Sequence, residues 1–252
     1  MKIGIITHGF WPQVGGLERQ VYDCSTGFSR KGHEVKVISI LGRQSPLPER
    51  EMLEIDGASS IEIFRFKVTC NRHAGHDSLR LKFPTDFYKQ SAPFWGRLLR
   101  DVDVLCTFGV APAIVGGMIK KADQTPLVAV LPGIPDRPNE RFEEVQQSKA
   151  DLFVAVSNFM RAKAKGLFNL DMVNIYNGID TDFFKPTHNR LEYPLLQNLA
   201  GELITSPVRL DPSKGLPVLL DAFELVHVSY PDAQLLITGN GSIFHELGST
   251  DT

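Results

Sequence analysis

The chain has 252 residues, of which 42% are hydrophobic and 22% charged, with a formal net charge of −2. This is ordinary for a globular protein, and the near-neutral balance excludes an overall field for nucleic acid. Cys24, Cys70 and Cys106 are too few and too widely spaced for a disulfide framework, so a reducing, cytoplasmic setting is expected, and no apolar run is long enough to span a bilayer.

Lys2–Thr7 is a short apolar run with β-branched residues and reads as a buried first strand, its apolar part being too short for a signal peptide. His8–Gly16 is turn-rich, with Pro12, Gly15 and Gly16. Leu17, Val21, Cys24 and Phe28 recur at helical spacing, and Gly32 stops that helix. Glu34–Leu41 predicts a second strand, and the alternation over Ile61–Phe66 predicts a third. Residues 42–60 and 67–92 read as loops over the carboxyl edge of the sheet, where open α/β folds bind ligands. Val102–Phe108 predicts a fourth strand, Ala113–Ala122 a helix, and Leu127–Leu131, Leu152–Val156 and Val173–Tyr176 three more strands. Glu143 and Glu144 fall on the solvated face of a further helix. Strands alternating with helices predict an α/β, Rossmann-like doubly wound parallel sheet covered on both faces.

Residues 185–206 read as hinge and linker, punctuated by Pro186 and Pro194. Val208–Leu210 then predicts a strand, followed by a helix capped by Ser213 with Leu216, Leu219, Leu220, Phe223 and Val226 on its core face, and by a strand at Gln234–Thr238. Pro217 is tolerated in the first turn of that helix. Pro207 is awkward in a central strand, which leaves Leu203-Ile204-Thr205 as a shortened alternative. Two domains are expected, 1–186 and an incomplete second one with its linker at 187–252.

Gly15-Gly16-Leu17-Glu18 lies between the first strand and the first helix. Two glycines let a backbone approach a bulky anion, and a helix N-terminus supplies free N–H groups and the positive end of a dipole. A tight strand-to-helix turn explains the same pair, and Glu18 suits a first helical turn on dipole grounds alone. There is no G-x-G-x-x-G, and the second strand ends without the acid that holds a ribose, which argues against a nicotinamide oxidoreductase. The run Cys70 to Asp77 gathers possible metal ligands, but its spacing matches no closed tetrahedral site. Phe10 and Trp11 fit either an acceptor pocket or simple packing.

Five segments in order carry a resemblance. They are His8-Gly9-Phe10-Trp11-Pro12-Gln13-Val14-Gly15-Gly16-Leu17-Glu18 with Arg30-Lys31-Gly32-His33-Glu34-Val35; Ala150-Asp151-Leu152-Phe153-Val154-Ala155-Val156-Ser157; Asn174-Ile175-Tyr176-Asn177-Gly178-Ile179-Asp180 with Phe184 and Pro186; and Arg209-Leu210-Asp211-Pro212-Ser213-Lys214-Gly215. Together they resemble retaining glycosyltransferases of the group 1, family 4 type, which have the GT-B architecture of two Rossmann-like domains.

The resemblance implies sugar transfer from a nucleotide-sugar to a glycan, lipid or small-molecule acceptor, with retention. It implies that the first domain holds the acceptor and that Gly15, Gly16 and Glu18 approach the donor's phosphates. It gives Arg209 and Lys214 the diphosphate, with Gly239 as a further backbone approach. Fixed cations aimed at the departing dianion make a metal or other cofactor unnecessary. Catalytic residues are not assigned. Peripheral membrane association is in keeping with the family, and nucleic acid is not an expected partner. The family's Glu-x7-Glu motif has no counterpart up to Thr252, so the resemblance implies a chain truncated in its donor domain, active or else a non-catalytic fragment completed by a partner chain. Val130-Leu131-Pro132-Gly133 and Thr107-Phe108-Gly109 also depart from the family, which often ends both strands in His.

Overall fold

The computed structural model describes residues 1–42, 45–68, 85–186, 201–210 and 214–239. These divide into two compact units, one running up to Ile179 and one from Asp180 onward.

The first unit is built on strands β1 (Lys2–Thr7), β2 (Glu34–Gly42), β3 (Arg50–Glu54), β4 (Ser60–Val68), β5 (Val104–Phe108), β6 (Leu127–Leu131), β7 (Leu152–Ala155) and β8 (Val173–Asn174). They form one sheet in the order β3-β4-β2-β1-β5-β6-β7-β8. Every pairing is parallel except β3 with β4, so the expected all-parallel sheet carries one antiparallel edge strand. Five helices accompany the sheet: α1 (Gly16–Arg30), α2 (Thr85–Leu98), α3 (Val110–Asp123), α4 (Glu140–Gln147) and α5 (Asn158–Phe168).

Period-2 alternation sends Ile3 and Ile5 to one face of β1 and Ile6 to the other. The first face packs under α1 through Val21, Leu17 and Phe28. The opposite face packs under α2 and α3 through Tyr88, Ala92, Trp95, Val115 and Ile119. Burial of this apolar surface on both faces is what makes a parallel sheet stable. Gly116 and Gly117 let α3 sit close: a Cβ at Gly116 would lie 2.7 Å from Thr107 Cγ2, and one at Gly117 would lie 2.5 Å from Ser148 Cα.

Two stretches expected to be loops hold regular structure. Within 42–60, β3 was obscured because its sequence, Arg-Glu-Met-Leu-Glu, is mostly charged; it is an edge strand with little to bury, and its charges discourage pairing with another chain. Within 67–92, the start of α2 was obscured by Pro93 and Gly96, although Tyr88, Ala92, Trp95 and Leu99 keep helical spacing on its buried side. The fourth strand begins at Val104 rather than Val102, and the seventh covers only Val173–Asn174.

In the second unit β9 (Leu203–Pro207) and β10 (Gln234–Thr238) form a parallel pair, with α6 (Leu216–Ser229) between them in sequence. The strand therefore precedes Val208–Leu210 and falls on the alternative, Leu203-Ile204-Thr205, extended to Pro207. Pro207 is its last residue, opposite Thr238, and the next N–H, that of Val208, donates to Thr238 O at 3.0 Å. A terminal position tolerates a residue without an N–H. The helix likewise starts after Ser213: Gly215 is its N-cap, with φ 70°, and Pro217 lies in the first turn as expected. Ser213 lies outside the described residues, as do Cys70 to Asp77.

Tyr88 of α2 also reaches the carboxyl end of β1, where its hydroxyl is hydrogen-bonded to His8 Nδ1 and the two rings meet edge-on at 5.2 Å. Burial, and secondarily the positive charge of Arg141, lowers the His8 pKa from 6.5 to about 4.

Two outcomes follow from this packing. Gly117→Ala forces a methyl into the Ser148 backbone and is expected to destabilise the chain by about 1–3 kcal/mol in urea titrations followed by circular dichroism, whereas the same change at open Gly166 is expected to be neutral or stabilising. His8 binds its proton more weakly folded than unfolded, so stability is lost as pH falls from 6.5 toward 4. Its share of the loss between pH 7 and pH 5 is about 2 kcal/mol and should vanish in His8→Gln measured by the same titrations.

Candidate functional site

The fold turns on β1, which has β2 on one side and β5 on the other. The chain therefore leaves the carboxyl ends of β1 and β5 in opposite directions, opening the crevice in which doubly wound sheets bind ligands. What lines this edge is set by the loop from β1 to α1 and by the turn from β5 to α3.

The first loop is tied down over its length. Thr7 Oγ1 donates to Gly9 O at 3.1 Å, and Ile40 N of β2 donates to His8 O at 2.9 Å. Phe10 to Gln13 form a β-turn in which Gln13 N donates to Phe10 O at 3.1 Å, and the Trp11–Pro12 peptide is cis. Phe10 is fully buried, so it belongs to the core; Trp11 is 44% exposed and lies 6.0 Å from the Tyr22 ring. The carbonyl of Trp11 accepts from Arg65 Nη2 at 3.1 Å.

The predicted Gly15, Gly16 and Glu18 come together at the start of α1. Gly15 is the N-cap and has extended backbone, so it is wanted for its size: a Cβ there would overlap the Glu18 carboxylate, which folds back over Gly15 and Gly9. Gly16, the first helical residue, faces open space with nothing within 4 Å of a Cβ built on it. No side chain caps α1. The same holds for α3, whose N-cap Gly109 has φ 106° and lies 3.6 Å, at an added Cβ, from His8 Cδ2.

The neighbouring helices behave differently. At α4, Asn139 Oδ1 accepts from Phe142 N at 3.0 Å, and at α5, Ser157 Oγ accepts from Met160 N at 3.1 Å. Helix N-termini need such partners for their free N–H groups. The two helices that rise from the central crevice carry glycine caps, so no cap side chain accepts from their first turns; the Glu18 carboxylate folds back over the start of α1, and Pro112 in the first turn of α3 has no N–H to offer.

In the second unit, Arg209 and Lys214 are both exposed and lie on the connection from β9 to α6. Gly239 directly follows β10 and packs against that connection: a Cβ there would overlap Val208 O and lie 3.6 Å from Arg209 Cα. Gly239 and Arg209 thus share one strand end, and Lys214 directly precedes the glycine cap of α6, which also lacks a capping side chain. Sequence reasoning passed over His8, Arg65 and Gly109. The signal for Arg65 was present in the strand pattern, where a charge falls in an inward-facing position.

Among the described residues no cluster of His, Cys, Asp and Glu is placed to hold a metal ion, and no helix is long and apolar enough to cross a membrane.

Comparison with known proteins bears on this arrangement. The chain is similar to a phosphatidyl-myo-inositol mannosyltransferase of Mycobacterium tuberculosis, with 26% identity across 96% of this chain and 61% of the relative. It therefore spans about three fifths of that relative's length. Among solved structures it resembles a sucrose-phosphate synthase from Thermosynechococcus elongatus, with a TM-score of 0.74 at 14% identity over 94% of this chain and 62% of the other. It also resembles the Anabaena protein HepE in complex with UDP, with a TM-score of 0.65 at 17% identity over 98% of this chain and 63% of the other. These likenesses show the α/β fold of GT-B enzymes. The model of the family described as Glycosyltransferase Family 4 matches residues 14–183, well over half of the sequence, and the chain belongs to that family.

Proposed function

We propose that this chain is the acceptor-side domain and part of the donor-side domain of a hexosyltransferase that uses a nucleotide-sugar and retains the configuration of the transferred sugar. The observation that carries the reading is the start of α1 at the switch point of the sheet, where Gly15 and Gly16 present backbone without side chains and no cap residue accepts from the first turn, while α4 and α5 close theirs with Asn139 and Ser157.

In sugar transfer the bond from the anomeric carbon to the diphosphate breaks, and its electrons pass to the diphosphate oxygen. The acceptor oxygen forms the new bond to the anomeric carbon, and its proton passes to the departing diphosphate oxygen. The barrier falls if positive potential waits where the negative charge collects. The free N–H groups of α1, reached past Gly15 and Gly16, supply such potential in the first unit. In the second, Arg209 and Lys214 are exposed cations of the kind that could do so, on the connection beside Gly239, whose bare backbone packs against Val208 O. Glu18 must move off Gly15 when an anion binds. Fixed cations and dipoles do the work for which other transferases use a metal ion.

The donor class is supported by HepE, solved with UDP. A sugar of the mannose type is supported by the mannosyltransferase relative, whose name also makes a lipid headgroup one candidate acceptor, beside glycans and small polyols. Such an acceptor would place the chain at a cytoplasmic membrane face.

The test is calorimetry of the purified chain with UDP, UDP-glucose and GDP-mannose, joined to an assay for sugar release. Arg209→Ala and Lys214→Ala are each expected to weaken nucleotide binding about 10-fold, the worth of a charged hydrogen bond. Gly16→Val fills open space with no clash and is expected to weaken binding at least as much at nearly unchanged melting temperature. Wild-type affinity that all three changes leave untouched, or no nucleotide binding at all, would refute the reading.

A further inference from the structure

Along β4 the positions that face α1 are Ile61, Ile63 and Arg65. The first two are fully buried hydrocarbon, and the third is an arginine only 2% exposed. Burying a guanidinium costs several kcal/mol unless its N–H groups are matched, and a well-packed apolar residue at such a site is often the more stable choice. Arg65 Nε is buried without a hydrogen-bond partner among the described residues, and the two Nη groups carry the side chain's hydrogen bonds. Nη1 donates to Glu51 Oε2 at 2.5 Å and to Pro48 O at 3.3 Å. The backbone N–H of Arg65 donates to Glu49 O at 2.7 Å. These contacts hold the segment 48–51 against the strand. Nη2 does something else: it crosses to the loop between β1 and α1 and donates to Trp11 O at 3.1 Å.

That carbonyl belongs to the Trp11–Pro12 peptide inside the turn that leads to Gly15. The turn's outer end is already fixed to β2 and to β1 by the bonds of Ile40 N and Thr7 Oγ1. Arg65 supplies support from below, out of the sheet itself. Its guanidinium is planar and forked, so one side chain reaches the strand segment and the loop together; a lysine has only one nitrogen to offer.

We propose that Arg65 is a positioning residue for the Gly15–Gly16 loop, holding it through the Trp11 carbonyl at the height from which the first N–H groups of α1 meet a bound diphosphate. The idea rests on the anion-binding role given above to the start of α1.

The experiment compares Arg65→Met, Arg65→Lys and Ile63→Ala in the whole chain. Ile63→Ala removes buried surface from the same face of the same strand, in the cluster that also holds Phe10, but breaks no hydrogen bond to the loop. Three quantities are read: melting temperature, hydrogen exchange of the peptide covering residues 9–18, and UDP affinity by calorimetry. Arg65→Met is expected to speed exchange in 9–18 and to weaken UDP binding, each about 10-fold, the equivalent of one buried hydrogen bond. Arg65→Lys should fall between Met and wild type. Ile63→Ala should lower the melting temperature while changing exchange in 9–18 and UDP affinity several-fold less than Arg65→Met does. Equal local exchange in the Arg65 and Ile63 variants would make Arg65 an ordinary core residue and overturn the proposal. If Arg65→Met does not fold, Arg65→Lys against Ile63→Ala decides the same question. A wild type that binds no UDP sinks the anion site alone, because exchange in 9–18 still reports whether Arg65 holds the loop.

Discussion

Everything at the candidate site depends on β1 lying buried between two parallel neighbours. A strand hydrogen-bonded on both sides and covered on both faces has nowhere to send its chain except off its end, over the carboxyl edge. The backbone there has left the ladder, so its polar groups must find new partners. Ile40, Thr7, Gln13 and Arg65 provide them for the loop at His8 to Gln13. The loop is therefore shaped by the elements beneath it, and the start of α1 inherits that shape.

The helix termini divide according to where they stand. α4 and α5 begin over the outer strands β6 and β7 and use Asn139 and Ser157 to satisfy their own first turns. α1 and α3 begin over the central pair and end their loops in Gly15 and Gly109. A side-chain cap is worth about 1 kcal/mol per helix. The two central helices forgo it; at α1 the Glu18 carboxylate folds back over the cap, and at α3 Pro112 removes one of the donors that a cap would serve. The imidazole of His8 lies beside Gly109, kept uncharged by burial, so it adds a hydrogen-bonding edge there without adding a charge.

Much of the fold was legible in the sequence because the central strands are dense in Ile, Val and Leu and the glycines fall between elements. Lys2–Thr7, Glu34–Leu41 and Leu127–Leu131 needed only that pattern. β3 was not legible, since an edge strand with charged side chains has no apolar alternation to display. α2 was hidden by Pro93, although its aromatic spacing survives on the buried side. Pro207 closes β9, so of the two placements that the sequence offers, Leu203-Ile204-Thr205 is the strand and Val208–Leu210 is not. At the site, Gly15, Gly16 and Glu18 could be found from local chemistry. Arg65 stands 54 residues beyond Trp11, and no local rule connects a charged position in one strand to a carbonyl in a distant loop.

The two flanks of the large sheet are unequal. One is finished by β3, antiparallel, short and lined with Arg50, Glu51 and Glu54; the other ends in the two residues of β8, where Val173 is 47% exposed. A partner segment added by augmentation therefore meets charge at one of these two flanks and little of it at the other. The flank at β3 is guarded by its side chains, so the described sheet accepts a further strand more readily past β8, away from the strands that set the crevice.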